Sequence, residues 1–130
     1  MHYLEIMTAL IIVIGAGCSY QVDKTDRNGA EKAEAVLPTF ESLKENIFDR
    51  RCTQCHSAAG SARHIPLDTI DALVTSPREL VIPGNADDSG LVLAVERADK
   101  KRMPPPDVDS ALAVEEVAAI RLWIQNGARD

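Results

Sequence analysis

Hydrophobic and polar positions change character along the chain. Leu4 to Gly17 is mostly apolar, centred on Ala9 to Ile14. A spanning helix needs about twenty apolar residues. This run is shorter and ends in small residues, which fits a signal peptide over 1–17. Ser19 to Leu37 is polar and charged, without a sustained apolar period, and reads as a flexible linker over 18–37. After Pro38 the period becomes helical: Phe40, Leu43, Ile47 and Phe48 fall on one face, with Thr39 placed to cap it.

The remainder predicts short helices separated by breakers. Gly60 to Pro66 reads as loop and Asp68 to Val74 as a short helix, and Pro83-Gly84 marks a turn. Asn85 is placed to cap the next helix, with Asp87 and Asp88 in its first turn and Leu91, Val92 and Val95 facing inward. Pro104-Pro105-Pro106 breaks the chain again. The last helix is expected over about Val114 to Asn126, with Val117, Ile120 and Ile124 on one face, Trp123 beside it and Gly127 as C-terminal cap. No segment alternates as a strand does, so 38–130 is expected to be one all-α domain.

Gly15-Ala16-Gly17-Cys18 resembles a bacterial lipobox, which makes Cys18 the candidate lipidation site. Gly15 stands where a large aliphatic residue is usual, and the leader has no Lys or Arg. Cleavage by ordinary signal peptidase, or retention of the leader as a weak anchor, is the alternative. Export to the periplasm or cell envelope is expected either way, with membrane attachment through lipid if Cys18 is modified.

Net charge is −6, which argues against nucleic acid as a partner, since that would favour a basic chain. Aromatic residues make up only 4% of the chain, and no cysteine pair is left over for a disulfide. A small domain of this kind often needs another staple, and a buried cofactor would serve.

Cys52-Thr53-Gln54-Cys55-His56 is C-x-x-C-H, the attachment sequence of c-type haem. Two thiols about one turn apart can each add to a haem vinyl group, and the adjacent histidine then reaches the iron. One such motif implies one covalent haem. A redox dithiol would need a βαβ context, which is absent. Half of a zinc site would need a ligand beyond His56, and His64 is the only other histidine in the domain. Met103, followed at once by the prolines, is the candidate second axial ligand; a thioether there raises the reduction potential. His64 is its rival.

These residues have a family likeness. The domain resembles the class I cytochrome c superfamily, and within it the small single-haem domains of planctomycetes and related bacteria. The likeness rests on Cys52 to His56, Ile65-Pro66-Leu67-Asp68, Val81-Ile82-Pro83-Gly84-Asn85, Ser89 with Leu91, Met103-Pro104-Pro105, and Glu116, Ile120, Trp123-Ile124 and Gly127-Ala128. It implies a fold in which the first and last helices pack together near the haem, with Phe48 near Ile120 or Trp123 and Met103 as distal ligand. Ala113 departs from it, because such domains often carry Ser or Thr there to cap the last helix.

The expected function is single-electron transfer between redox partner proteins, rather than enzyme catalysis, since no distal catalytic cluster accompanies the motif. A haem-based ligand sensor and an accessory haem-binding subunit of a larger complex are the alternatives. Arg97, Lys100, Lys101 and Arg102 precede Met103, and Arg50, Arg51 and Arg63 flank the attachment motif. Such a basic collar would steer an acidic partner, or would serve to neutralise haem propionates.

Overall fold

The computed structural model describes residues 35–130. The leader, Cys18 and most of the polar segment after it lie outside the described residues.

Within that span the chain is all-α. The elements are α1 (Phe40–Leu43), a π-helical turn (Lys44–Phe48), α2 (Asp49–Arg51), α3 (Ile70–Val74), α4 (Gly90–Val95) and α5 (Val114–Gln125). Among the described residues no strand forms, and the only extended pairing is an isolated bridge between Ile82 and Asn85.

The first three elements form one continuous helical run. Thr39 caps it, its hydroxyl accepting from the Ser42 amide. The π turn adds one residue to the helical repeat. It brings Leu43, Ile47 and Phe48 all to full burial, although Ile47 and Phe48 are consecutive. The run ends where the Phe48 carbonyl accepts from both Cys52 and Thr53 amides, each at 2.8 Å. The attachment motif therefore hangs directly from the helix terminus.

Helix α5 begins as expected. Glu116 Oε2 accepts from the Ala113 amide at 2.7 Å, supplying the half of a capping box that Ala113 cannot. Its end is a Schellman motif: the Gly127 amide bonds the Ile124 carbonyl, the Ala128 amide bonds the Trp123 carbonyl, and Gly127 takes φ +96.

α1 and α5 are in contact. Phe40 links them, its ring 6.2 Å from Phe48 and 5.8 Å from Trp123, both in tilted geometry. The most deeply buried side chains of the core include Leu43, Ile47, Phe48, Leu73, Val92, Ile120, Trp123 and Ile124. Trp123 Nε1 donates to the Arg129 carbonyl, so the buried indole is satisfied.

Helix α4 starts later than the sequence suggests. Asn85 caps a turn, accepting from the Asp88 amide, and the fully buried Ser89 closes the segment. The Ser89 hydroxyl donates to the Asn85 carbonyl at 2.7 Å and accepts from the Ile82 amide at 2.9 Å. These side-chain bonds compete with helix up to Ser89, and Gly90 opens α4.

Candidate functional site

A cavity of about 590 Å³ opens beside the attachment motif, within the range of small-molecule and cofactor sites. Cys52, Cys55 and His56 form one wall. Gly90, Leu91, Ala94 and Val95 line it from α4, as positions one turn apart on a helix should. Leu67 and Leu80 lie on loops that flank α3, and Met103, Pro104, Pro105 and Val108 come from the proline-rich segment. Every candidate ligand in the domain, including the rival His64, thus borders one mostly apolar space.

His56 is oriented by the backbone. Its Nδ1 lies 3.1 Å from the Ile65 carbonyl oxygen. A carbonyl can only accept, so Nδ1 donates here and Nε2 is the nitrogen left to meet a metal, as in most metal-bound histidines. The Ile65 carbonyl precedes Pro66, where the backbone favours extended conformation. The Leu67 amide returns to the His56 carbonyl at 2.9 Å, closing this segment on the motif.

The loop between His56 and Ile65 sits tightly on Cys55. The Ala62 amide bonds the Cys55 carbonyl at 2.9 Å, and Gly60 passes so near that a Cβ there would lie 2.1 Å from the same oxygen. Glycine at 60 follows from that approach.

The two thiols differ. Cys55 is exposed and Cys52 is partly buried; both are free. Burial pushes the Cys52 thiol up to about 11, with the Arg51 charge opposing. Among the described residues no group of three or more His, Cys, Asp or Glu is arranged to hold a metal ion. The half-zinc-site alternative therefore lacks geometric support.

Met103 is held by its backbone: its amide donates to the Ala94 carbonyl on α4 at 2.9 Å. Pro104 behind it is buried. The Met103 side chain is 36% exposed and borders the same cavity as His56.

The basic residues near the motif divide into two groups. Arg51 is not a free surface charge. Its Nε donates to Asp109 Oδ2 at 2.8 Å, its Nη1 to Glu116 Oε2 at 3.2 Å and its Nη2 to the Ser110 carbonyl at 2.7 Å. It clamps the attachment helix to the loop before α5. Arg102 Nη2 donates to the Asp109 carbonyl, while its Nη1 is buried without a partner among the described residues. Arg97 is paired with Asp99. Arg50, Arg63, Lys100 and Lys101 are exposed and make no ion pair among the described residues. The collar expected from sequence is thus reduced to those four.

The residues present suit a covalently held haem. Two thiols stand at one wall beside an imidazole whose Nε2 is not tied to the backbone, a thioether borders the same space, the lining is mostly apolar, and among the described residues no carboxylate faces it. Sequence reasoning missed the Ile65 carbonyl, the Arg51 clamp and the close approach at Gly60. A glycine shortly after the motif was the only local signal for any of them.

Residues 52–107 match the family model described as planctomycete cytochrome C. No curated protein and no solved structure matches the chain. The matched segment begins at the first attachment cysteine and runs past Met103, while α1 and α5 lie outside it. The match over residues 52–107 supports a planctomycete-type cytochrome c domain.

Proposed function

We propose that this protein is an exported single-haem c-type cytochrome that passes electrons one at a time between redox partner proteins. The family match supports haem-based electron transfer. The observation that carries the finer reading is that His56, with Nδ1 tied to the Ile65 carbonyl, and Met103, with its amide tied to Ala94, border one apolar cavity.

Bound haem supplies a one-electron ferric–ferrous couple. Cys52 and Cys55 would hold it through thioethers, each S–H adding across one vinyl group. His56 would ligate through Nε2, its Nδ1 held by the Ile65 carbonyl. Met103 would supply a thioether ligand, which favours reduced iron. Two ligands from the protein would leave no open site on the metal for a substrate, which would separate a carrier from an enzyme or sensor. The domain packs around the haem as the likeness to class I cytochromes implies, with α1 and α5 together. Export places it in the periplasm or cell envelope, where c-type haem is attached, and a lipid at Cys18 would anchor it to membrane. Arg50, Arg63, Lys100 and Lys101 are the charges available to steer an acidic partner.

Carbon monoxide tests the carrier assignment. Reduced protein matured with the c-type apparatus should not change its spectrum on exposure to the gas. The oxidised form should show the weak red band of methionine-ligated ferric haem, lost in Met103→Ala. A high-spin spectrum that shifts with carbon monoxide would instead establish a ligand-binding haem protein.

A further inference from the structure

Among the described residues the cavity is bordered by two cations, Arg51 and Arg78, and by no carboxylate. Arg51 is fully engaged with Asp109, Glu116 and Ser110. Arg78 differs: among the described residues its side chain makes no hydrogen bond and no ion pair, although the chain is acidic overall. Arg78 is exposed, so it stands at the solvent side of the cavity.

Its backbone is firmly set. The next residue, Glu79, takes the left-handed conformation at φ 51, which non-glycine residues seldom adopt. The Glu79 amide bonds the Ser76 carbonyl and the Glu79 carbonyl accepts from the Gly90 amide at 2.8 Å. Gly90 lets this turn press against α4, since a Cβ there would lie 3.3 Å from the Arg78 carbonyl oxygen. A turn held in an unfavourable conformation sends Leu80 into the core and leaves an exposed guanidinium, unpaired among the described residues, bordering the cavity.

Haem carries two carboxylates on one edge. Carboxylates entering an apolar cavity require charged or hydrogen-bonding partners, or water. A guanidinium offers a planar fork matched to a carboxylate. We propose that Arg78 pairs with a propionate of the bound haem and thereby raises the reduction potential of the site. This rests on the haem reading above. The charge sign is unambiguous: a nearby cation, or a neutralised propionate, disfavours ferric iron.

The test is a set of potentiometric titrations on haem-loaded wild type, Arg78→Gln, Arg78→Lys and Arg50→Gln. Arg50 is exposed and does not border the cavity, so it controls for a general loss of charge. Arg78→Gln should shift the ferric–ferrous equilibrium threefold to tenfold toward ferric, a fall of about 30–60 mV at 59 mV per decade for one electron. Its potential should also depend more steeply on pH under acidic conditions, as the unpaired propionate titrates. Arg78→Lys should recover most of the potential. It should also move a carboxylate band in the redox-difference infrared spectrum, a readout that holds even if Arg78→Gln fails to mature. Equal potentials in Arg78→Gln and Arg50→Gln, or an unmoved carboxylate band in Arg78→Lys, would overturn the pairing. A pyridine haemochrome on each sample separates this from the haem reading itself, which falls only if wild type carries no covalent haem.

Discussion

Gly60→Ala should be the most damaging single-methyl change in the loop that orients His56. The new Cβ would stand 2.1 Å from the Cys55 carbonyl oxygen and 2.5 Å from its carbon. Both atoms are backbone, so no flexible side chain can yield. Relief requires the 57–62 loop to lift, which breaks the Ala62 amide bond to Cys55. One backbone hydrogen bond contributes about 1 kcal/mol, and overpacking a tight site costs about 1–3 kcal/mol. The sum is roughly 2–4 kcal/mol. The assay is guanidinium unfolding of the haem-loaded protein followed by far-UV circular dichroism. With a slope of about 4 kcal/mol per molar, the midpoint should fall by about 0.5–1 M. Gly84→Ala is the comparison: its Cβ meets nothing within 4 Å, but φ is +84. It should cost only about 1–2 kcal/mol from the left-handed backbone. A Gly60→Ala midpoint unchanged from wild type would refute the close approach at Cys55.

Other outcomes follow from the same contacts. The Arg51 guanidinium beside Asp109 holds its carboxyl below the usual carboxylate range, so this pairing stabilises the fold above an ordinary carboxylate pKa of about 4. The contribution is lost as pH falls through the depressed folded value. Asp109→Asn should therefore lower the melting temperature at pH 7, and its gap from wild type should close in acid; a constant gap would exclude the linkage. Phe40→Leu removes the ring between Phe48 and Trp123 and should cost about 1–2 kcal/mol in equilibrium unfolding, from lost aromatic contacts and apolar area. Replacing Lys100 and Lys101 with Gln should slow electron transfer to an acidic partner at low salt and flatten the salt dependence; unchanged kinetics would remove this patch from docking.

The parts legible in sequence were those encoded locally. Helix α5 is 12 residues with a regular apolar face, acidic residues at its start and glycine at its end, and all of these appear in the string. The attachment motif and Met103 are likewise short patterns. What escaped has non-local causes. Arg51 read as a surface charge because its carboxylate partners lie 58 and 65 positions away. The Asn85 to Ser89 segment read as the first turn of α4, yet the buried Ser89 hydroxyl ties it into a turn instead. A uniform helical period over Phe40 to Phe48 does not anticipate the π turn, which brings adjacent Ile47 and Phe48 both inside. Arg78 carries no local signature, and only the assembled cavity distinguishes it from other surface cations.

Covalent haem at Cys52 and Cys55, with His56 on the iron, underlies every functional expectation above. Its most direct measurement is the intact mass of denatured protein matured with the c-type apparatus, taken with its pyridine haemochrome. One haem per chain should survive denaturation, with a spectrum showing both vinyl groups saturated. In Cys52→Ala or Cys55→Ala, any haem retained should show one unsaturated vinyl. Wild-type protein at the mass of the bare polypeptide, with its haem lost on denaturation, would rule out covalent attachment.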